Sequence, residues 1–254
     1  MKNTNLTFFF RPLKNVGIYS QNFQKKLIFE FHSQDVFPIA SCAKLFVLTG
    51  IAKLYYDKDI DLAQKIIISK NDLVPGSGLI RIAKKKSYTI NELCNLMIRV
   101  SDNTAFNKLI NLINPKWLNK YLKSINLKHT YIGPLTFKTL EKNTSTPRDV
   151  GLLLSQIYLR KIRGASYILR TLEKNKSKKF IPLFLSSSQI LHKTGVLDHG
   201  KYITLNDIGI VNTAKFDYSI CILSNKRKNL ELSGLQISII AKLLHDHWRF
   251  TRSL

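Results

Sequence analysis

Three short groups of residues could together carry out acyl-transfer chemistry: Ser41 with Lys44, Ser101 with Asn103, and Lys193 with Thr194 and Gly195. The first lies in the stretch Phe37-Pro38-Ile39-Ala40-Ser41-Cys42-Ala43-Lys44. Beyond Pro38 the apolar residues Leu45, Leu48, Ile51, Ala52 and Tyr55 recur at three and four, which predicts a helix over Ser41 to Tyr55 with Ser41 in its first turn. Residues three apart are neighbours on one helix face, so the Lys44 amine falls near the Ser41 hydroxyl. A serine becomes a nucleophile when an adjacent base takes its proton. A lysine can be that base only where burial and nearby cations lower its pKa toward neutrality. Backbone N–H groups at the helix start favour negative charge developing beside Ser41.

The other two groups are ordinary when taken alone. Ser101-Asp102-Asn103 separates two apolar helical faces, Leu93, Leu96, Met97 and Val100 before it, and Ala105, Phe106, Leu109, Ile110 and Ile113 after it as far as Pro115. By itself it is an interhelical loop. Beside a serine nucleophile, the Ser101 hydroxyl can relay a proton to a leaving nitrogen and the Asn103 amide can hold a substrate amide. Leu191-His192-Lys193-Thr194-Gly195 reads as a strand end and turn, with Lys193 and Gly195 on one face and Thr194 on the other. There it offers a cation for a substrate carboxylate and a glycine that lets substrate approach the backbone.

The elements that must position these groups are legible at both chain ends and between them. Alternation over Val16 to Ser20 and Leu27 to Phe31 predicts a hairpin feeding the Ser41 helix. Pro75-Gly76-Ser77-Gly78 marks a shaped loop, and Thr89-Ile90-Asn91-Glu92 is a capping box. Thr146-Pro147-Arg148-Asp149 starts a helix with core face Val150, Leu153, Leu154, Ile157 and Tyr158, and a second helix covers Ala165 to Glu173. Strand signals return at Gln189 to Lys193, Tyr202 to Asn212 and Phe216 to Ser224, before a last helix over Leu235 to Trp248.

At 254 residues and 44% hydrophobic, the chain is one large domain or two intertwined ones. Its formal charge of +24, from 40 basic and 16 acidic residues, is scattered except at Lys84-Lys85-Lys86 and Lys174 to Lys179. That reads as a solvated basic surface with no specific nucleic-acid site, which still steers acidic ligands and cell-wall polyanions toward it. Cys42, Cys94 and Cys221 lack metal-ligand spacing and sit in apolar runs, so buried thiols are expected. Neither metal nor cofactor is needed. No run approaches the ~18 apolar residues of a membrane span. The apolar cluster Leu6 to Phe10, cut off by Arg11 and Pro12, is too short for the core of a secretory signal, which reads as cytoplasmic.

Ser41-x-x-Lys44, then Ser101-Asp102-Asn103, then Lys193-Thr194-Gly195, in that order, resembles the class A β-lactamases and the penicillin-binding proteins related to them. Pro75-Gly76-Ser77-Gly78, Thr146-Pro147-Arg148-Asp149 and Asn206-Asp207-Ile208-Gly209-Ile210-Val211 also look like landmarks of that family, so the resemblance runs from about Val16 to Trp248. It implies an α/β (α+β) fold: an antiparallel sheet with the first and last helices packed on it, made from residues 1–44 and 180–254, and an all-helical domain over 45–179. The site would lie where the two meet. It implies catalytic Ser41, Lys44 and Ser101, with Ser41 as nucleophile, Lys44 as base and Ser101 as proton relay. Substrate would be held by Asn103, Lys193, Thr194 and Gly195. The oxyanion hole would be the backbone N–H groups of Ser41 and Val196. The substrate would be a β-lactam or an acyl-D-alanine-like molecule, with a part in the antibiotic response and an extracellular or cell-wall location.

One departure bears on turnover. Class A β-lactamases carry an omega-loop glutamate that activates the deacylating water, with an asparagine nearby. Here the interval between Asn103 and Thr146 has no Glu-x-x-x-Asn, and Glu141 is its only carboxylate, read as a loop residue paired with lysine neighbours. Without that base an acyl-enzyme forms and turns over slowly. The alternatives are a D-alanyl peptidase, amidase or esterase on another acyl substrate, or a weakly active basic wall-binding protein.

Overall fold

The structure is a computed structural model that describes residues 3–134, 143–185 and 188–251. Chain order begins with α1 (Asn3–Phe10), β1 (Val16–Asn22), β2 (Leu27–Phe31), the two-residue β3 (Phe37–Pro38), a 3₁₀ turn at Ala40–Cys42 and α2 (Ala43–Tyr56). Next come β4 (Lys65–Ile67), β5 (Ser87–Thr89), α3 (Ile90–Arg99), α4 (Asn103–Ile113), α5 (Pro115–Ser124), the two-residue β6 (Thr144–Ser145) and α6 (Pro147–Tyr158). The series ends with α7 (Ala165–Leu172), β7 (Gln189–Asp198), β8 (Ile203–Asn212), β9 (Asp217–Arg227) and α8 (Leu230–Phe250).

The chain divides into two compact units. One comprises Met1–Cys42, Ser145–Ser155 and Ser177–Leu254, the other Ala43–Thr144 and Gln156–Lys176. In the first, five strands lie in the order β2-β1-β9-β8-β7, every neighbouring pair antiparallel. Leu6 and Phe10 of α1 share one apolar core with Ile18, Phe29, Ile220 and Ile222 of the sheet and with Ile237, Leu244 and Trp248 of α8. Each fully buried side chain of this size contributes ~1.5–3 kcal/mol. Trp248 keeps its polar atom satisfied by donating from Nε1 to Ser20 Oγ at 2.8 Å. The first half of α6 belongs with this sheet: Arg148 makes two 2.8 Å bonds to Glu30, and a Cβ on Gly151 would lie 1.9 Å from Tyr19 Cδ1.

In the sheet unit, one strand and one helix run further than the sequence expectation. The strand expected to end at Lys193 runs on to Asp198, because all ten residues of β7 pair with β8 and carry Lys193-Thr194-Gly195 into the sheet. The last helix starts at Leu230 rather than Leu235. Asn229 caps it by accepting from Leu232 N at 2.9 Å, and the exposed Leu230 and Leu232 gave no periodic signal there.

The second unit is mostly helical, though the small antiparallel pair β4–β5 departs from the all-helical expectation, and in α2 every residue from Ala43 to Ala52 is buried, the polar Lys44 and Thr49 included. Gly50 permits that packing, since a Cβ there would sit 2.8 Å from both Ile113 Cδ1 and Leu118 Cδ1. The capping box at α3 forms, with Glu92 N donating to Thr89 Oγ1 (3.1 Å) and Thr89 N to Glu92 Oε2 (2.8 Å). Helix α5 was not anticipated. Asn114 caps it by accepting from Lys116 N, and Pro115 stands at its first position, where a missing N–H costs nothing.

Candidate active site

Within the sheet unit, Ser41 sits in the 3₁₀ turn and not in the first turn of an α-helix as its spacing predicted. Ala40 has φ +47°, a left-handed value that an α-helix cannot contain, and Cys42 N donates to Ile39 O at 3.0 Å to close the tighter turn. The 3₁₀ turn leads directly into α2, on which Lys44 stands.

Two neighbouring strands hold the Ser41 turn. Asn206 of β8 donates from Nδ2 to Pro38 O at 3.0 Å and accepts from Ser224 N of β9 at 2.9 Å. Gly195 of β7 lies directly against it: an added Cβ would fall 2.6 Å from Ile39 O and 3.0 Å from both Cys42 N and Cys42 Sγ. The Cys42 thiol donates to Lys193 O at 3.2 Å. Ser41 and the Lys193-Thr194-Gly195 stretch are therefore neighbours by packing, although more than 150 residues separate them in sequence.

Lys193 is only 2% exposed, and its Nζ donates to Thr194 O at 2.8 Å. Burial pushes its pKa below the ordinary lysine value, opposed by the Cys42 and Asp207 fields. Thr194 is half-buried, and Val196 is exposed on the same strand.

Within the helical unit, Lys44 is 1% exposed and its Nζ donates to three acceptors: Ser101 O (2.8 Å), Ser101 Oγ (3.0 Å) and Asn103 Oδ1 (2.8 Å). Lys44, Ser101 and Asn103 are thus brought together. Ser101 is held in the left-handed region at φ +56°, which turns its carbonyl and hydroxyl toward the same amine. Asn103 also donates from Nδ2 to Pro75 O at 2.9 Å, and its backbone N–H donates to Ser77 O at 3.0 Å. Its amide links Lys44 to the Pro75-Gly76-Ser77-Gly78 loop.

Sequence reasoning missed two groups. Asp102 is a hub: Oδ1 accepts from Ala105 N (2.9 Å), and Oδ2 accepts from Leu79 N (2.7 Å) and Ile80 N (2.9 Å). Its place before an apolar helical run was a capping signal for the first of these bonds, and nothing local could reveal the other two. His192 and Asp207 form a buried pair, with Nδ1 at 2.9 and 3.1 Å from the two carboxylate oxygens and Nε2 at 3.2 Å from Ser177 O. Both ring nitrogens face acceptors, which suits an imidazolium. Burial works against that charge, yet the field and hydrogen bond of Asp207 outweigh it, so His192 titrates above its ordinary value. Glu141 lies outside the described residues. Among the described residues no cluster of His, Cys, Asp and Glu could hold a metal ion, and no helix is long and apolar enough to cross a membrane.

The sequence profile of the β-lactamase enzyme family matches residues 10–248. The β-lactamase BRO-1 of Moraxella catarrhalis is 34% identical over 94 residues, 36% of this chain and 30% of that protein. SME-1 of Serratia marcescens is 23% identical over 158 residues, 59% of this chain and 54% of that protein. The chain therefore spans about half or less of the length of these relatives. Among solved structures, PBP-A has the same fold at TM-score 0.89 and 22% identity, covering 98% of this chain and 96% of that one. The antiparallel sheet with its terminal helices, the helical unit beside it in sequence and the profile match over nearly the whole length lead to one assignment: the chain belongs to the β-lactamase enzyme family.

Proposed function

We propose that the protein is an active-site serine hydrolase of the class A β-lactamase type, acylated by β-lactams at Ser41. The observation that carries this reading is the Lys44 amine within 3.0 Å of the Ser101 hydroxyl, on the helix that continues directly from the Ser41 turn. In its neutral form Lys44 keeps a lone pair and two N–H donors, and Ser101 and Asn103 orient it.

Ser41 Oγ attacks the lactam carbonyl carbon while Lys44 takes its proton. The tetrahedral oxyanion forms against the backbone N–H groups of Ser41 and Val196, a stabilisation present only along the reaction path. The C–N bond then breaks, and the proton passes from Lys44 through Ser101 to the leaving nitrogen. Lys193 and Thr194 hold the substrate carboxylate, Gly195 leaves room beside the backbone, and Asn103 meets the substrate amide. A PBP-A variant has been solved as an acyl-enzyme complex with penicillin G, so that neighbour in fold forms the corresponding adduct.

A second reading has its own support. Glu141 is the only carboxylate in the sequence between Asn103 and Thr146. With no omega-loop Glu-x-x-x-Asn there, slow deacylation of β-lactams and a natural D-alanyl peptide, amide or ester substrate follow.

Both readings are tested by mixing the protein with a chromogenic β-lactam and following colour and intact mass together. One equivalent of colour with a stable mass on Ser41, absent in Ser41→Ala, is expected. Many turnovers at ordinary enzyme rates, with no action on D-alanyl peptides or esters, would sink the second reading. No colour and no added mass would overturn the first.

A further inference from the structure

The helical unit carries an open groove of about 1000 Å³ that uses none of the residues assigned above. Lys58 stands just past the end of α2, Arg160, Lys161 and Arg163 lie between α6 and α7, and Arg170 lies on α7. All five are exposed. Basic residues make up 40 of 254 in the chain, a share that would place about two among the twelve lining residues, and five stand there. Among the described residues no carboxylate lines the groove. Asp57, beside Lys58 in sequence, is mostly buried and pairs with Arg163 at 2.6 Å and with Lys53. Three of the five cations are arginines, although lysine outnumbers arginine threefold in this sequence.

Helix C-termini favour basic residues one at a time. They do not explain five around one hollow when, among the described residues, Asp57 on Arg163 is the one carboxylate paired with any of them, an excess of like charge that repels itself until an anion enters. The guanidinium fork matches phosphate oxygens in a way that an ammonium does not. The cations are spread around a volume many times that of one phosphate, and no single point receives them all. We propose that this groove binds a flexible linear polymer of phosphates, taking several successive phosphates at once, independently of the serine chemistry.

The test uses the full chain with labelled inorganic polyphosphate, followed by fluorescence anisotropy over a salt series. The triple variant Arg160→Gln, Lys161→Gln, Arg170→Gln removes three exposed cations and leaves the Arg163–Asp57 pair in place. A control triple, Lys176→Gln, Lys178→Gln, Lys179→Gln, removes the same charge from an exposed basic run elsewhere. The groove triple is expected to weaken binding about tenfold or more and to lower the salt slope by roughly 2, three contacts at ~0.7 each. The control should change affinity less than about twofold, and penicillin labelling of Ser41 should be unchanged in both. Should the triple fail to fold, Arg170→Gln alone is expected to lower the slope by ~0.7. A thymidine oligonucleotide of matched charge separates the sources: groove-dependent binding of it assigns the site to phosphodiester chains, and binding of polyphosphate alone assigns it to inorganic ones. Equal weakening by both triples, or polyglutamate of matched charge binding as tightly as polyphosphate, would overturn the proposal.

Discussion

Gly195 shows how one residue can set the position of a turn in another segment, the one that carries Ser41, through the side chain it lacks. Its missing Cβ would stand 2.6 Å from Ile39 O, a backbone atom fixed in the turn that carries Ser41, so no side-chain rotation can relieve the clash. Gly195→Ala must move either β7 or the turn. Overpacking of this kind costs about 1–3 kcal/mol. Urea unfolding should show that loss, and labelling of Ser41 by a fluorescent penicillin should slow at least tenfold. Unchanged labelling with unchanged stability would mean that the contact does not govern Ser41.

Helix α4 and the Pro75-Gly76-Ser77-Gly78 loop are fastened together by one carboxylate. Asp102 caps the helix through Oδ1 and gathers Leu79 N and Ile80 N on Oδ2, while Gly78, at φ +129°, leaves no room for a side chain against it. Asp102→Asn keeps the volume but turns an NH₂ toward two backbone donors. Each buried donor left without an acceptor costs ~1–3 kcal/mol. The variant is expected to lose about 2–4 kcal/mol in urea unfolding, and to label slowly because Ser101 and Asn103 flank the lost hub. A loss under about 1 kcal/mol would show that the loop does not depend on this carboxylate. The helix-end chemistry here was legible: Thr89 with Glu92 and Thr146 with Pro147 read correctly, because a cap needs partners only three residues away. The tie from Asp102 to Leu79 and Ile80 was not, since it joins segments more than twenty residues apart.

At the scale of the whole molecule, the His192–Asp207 pair links stability to pH. His192 titrates higher in the folded chain than its ordinary 6.5, so its contribution is fully present below that value and is lost as pH rises through the folded pKa. His245 and His247, lowered chiefly by burial, act with the opposite sign and in a lower window, favouring the folded state as pH rises from their folded pKa toward 6.5. The comparison of native protein with His192→Gln isolates the first effect. The stability gap between them is expected to shrink as pH is raised above 6.5 in urea titrations, and a gap independent of pH would refute the linkage. The sequence by itself determined what depends on near neighbours: the hairpin, the helices capped at Thr89 and Thr146, the helical run after Ser41 and the three motifs whose order marks the family. It misplaced Ser41 in an α-helix and ended a strand at Lys193, because periodicity reports which face a residue occupies and not which distant segment will meet that face. Only the tertiary structure decided that β7 runs on through Gly195 against the Ser41 turn, that Ser101 and Asn103 close on Lys44, that His192 finds Asp207, and that Lys58 joins Arg160 to Arg170 around one hollow. The physical reason is common to all four. Long-range hydrogen bonds, burial and charge clustering are properties of pairs of segments, fixed by how sheet and helices pack.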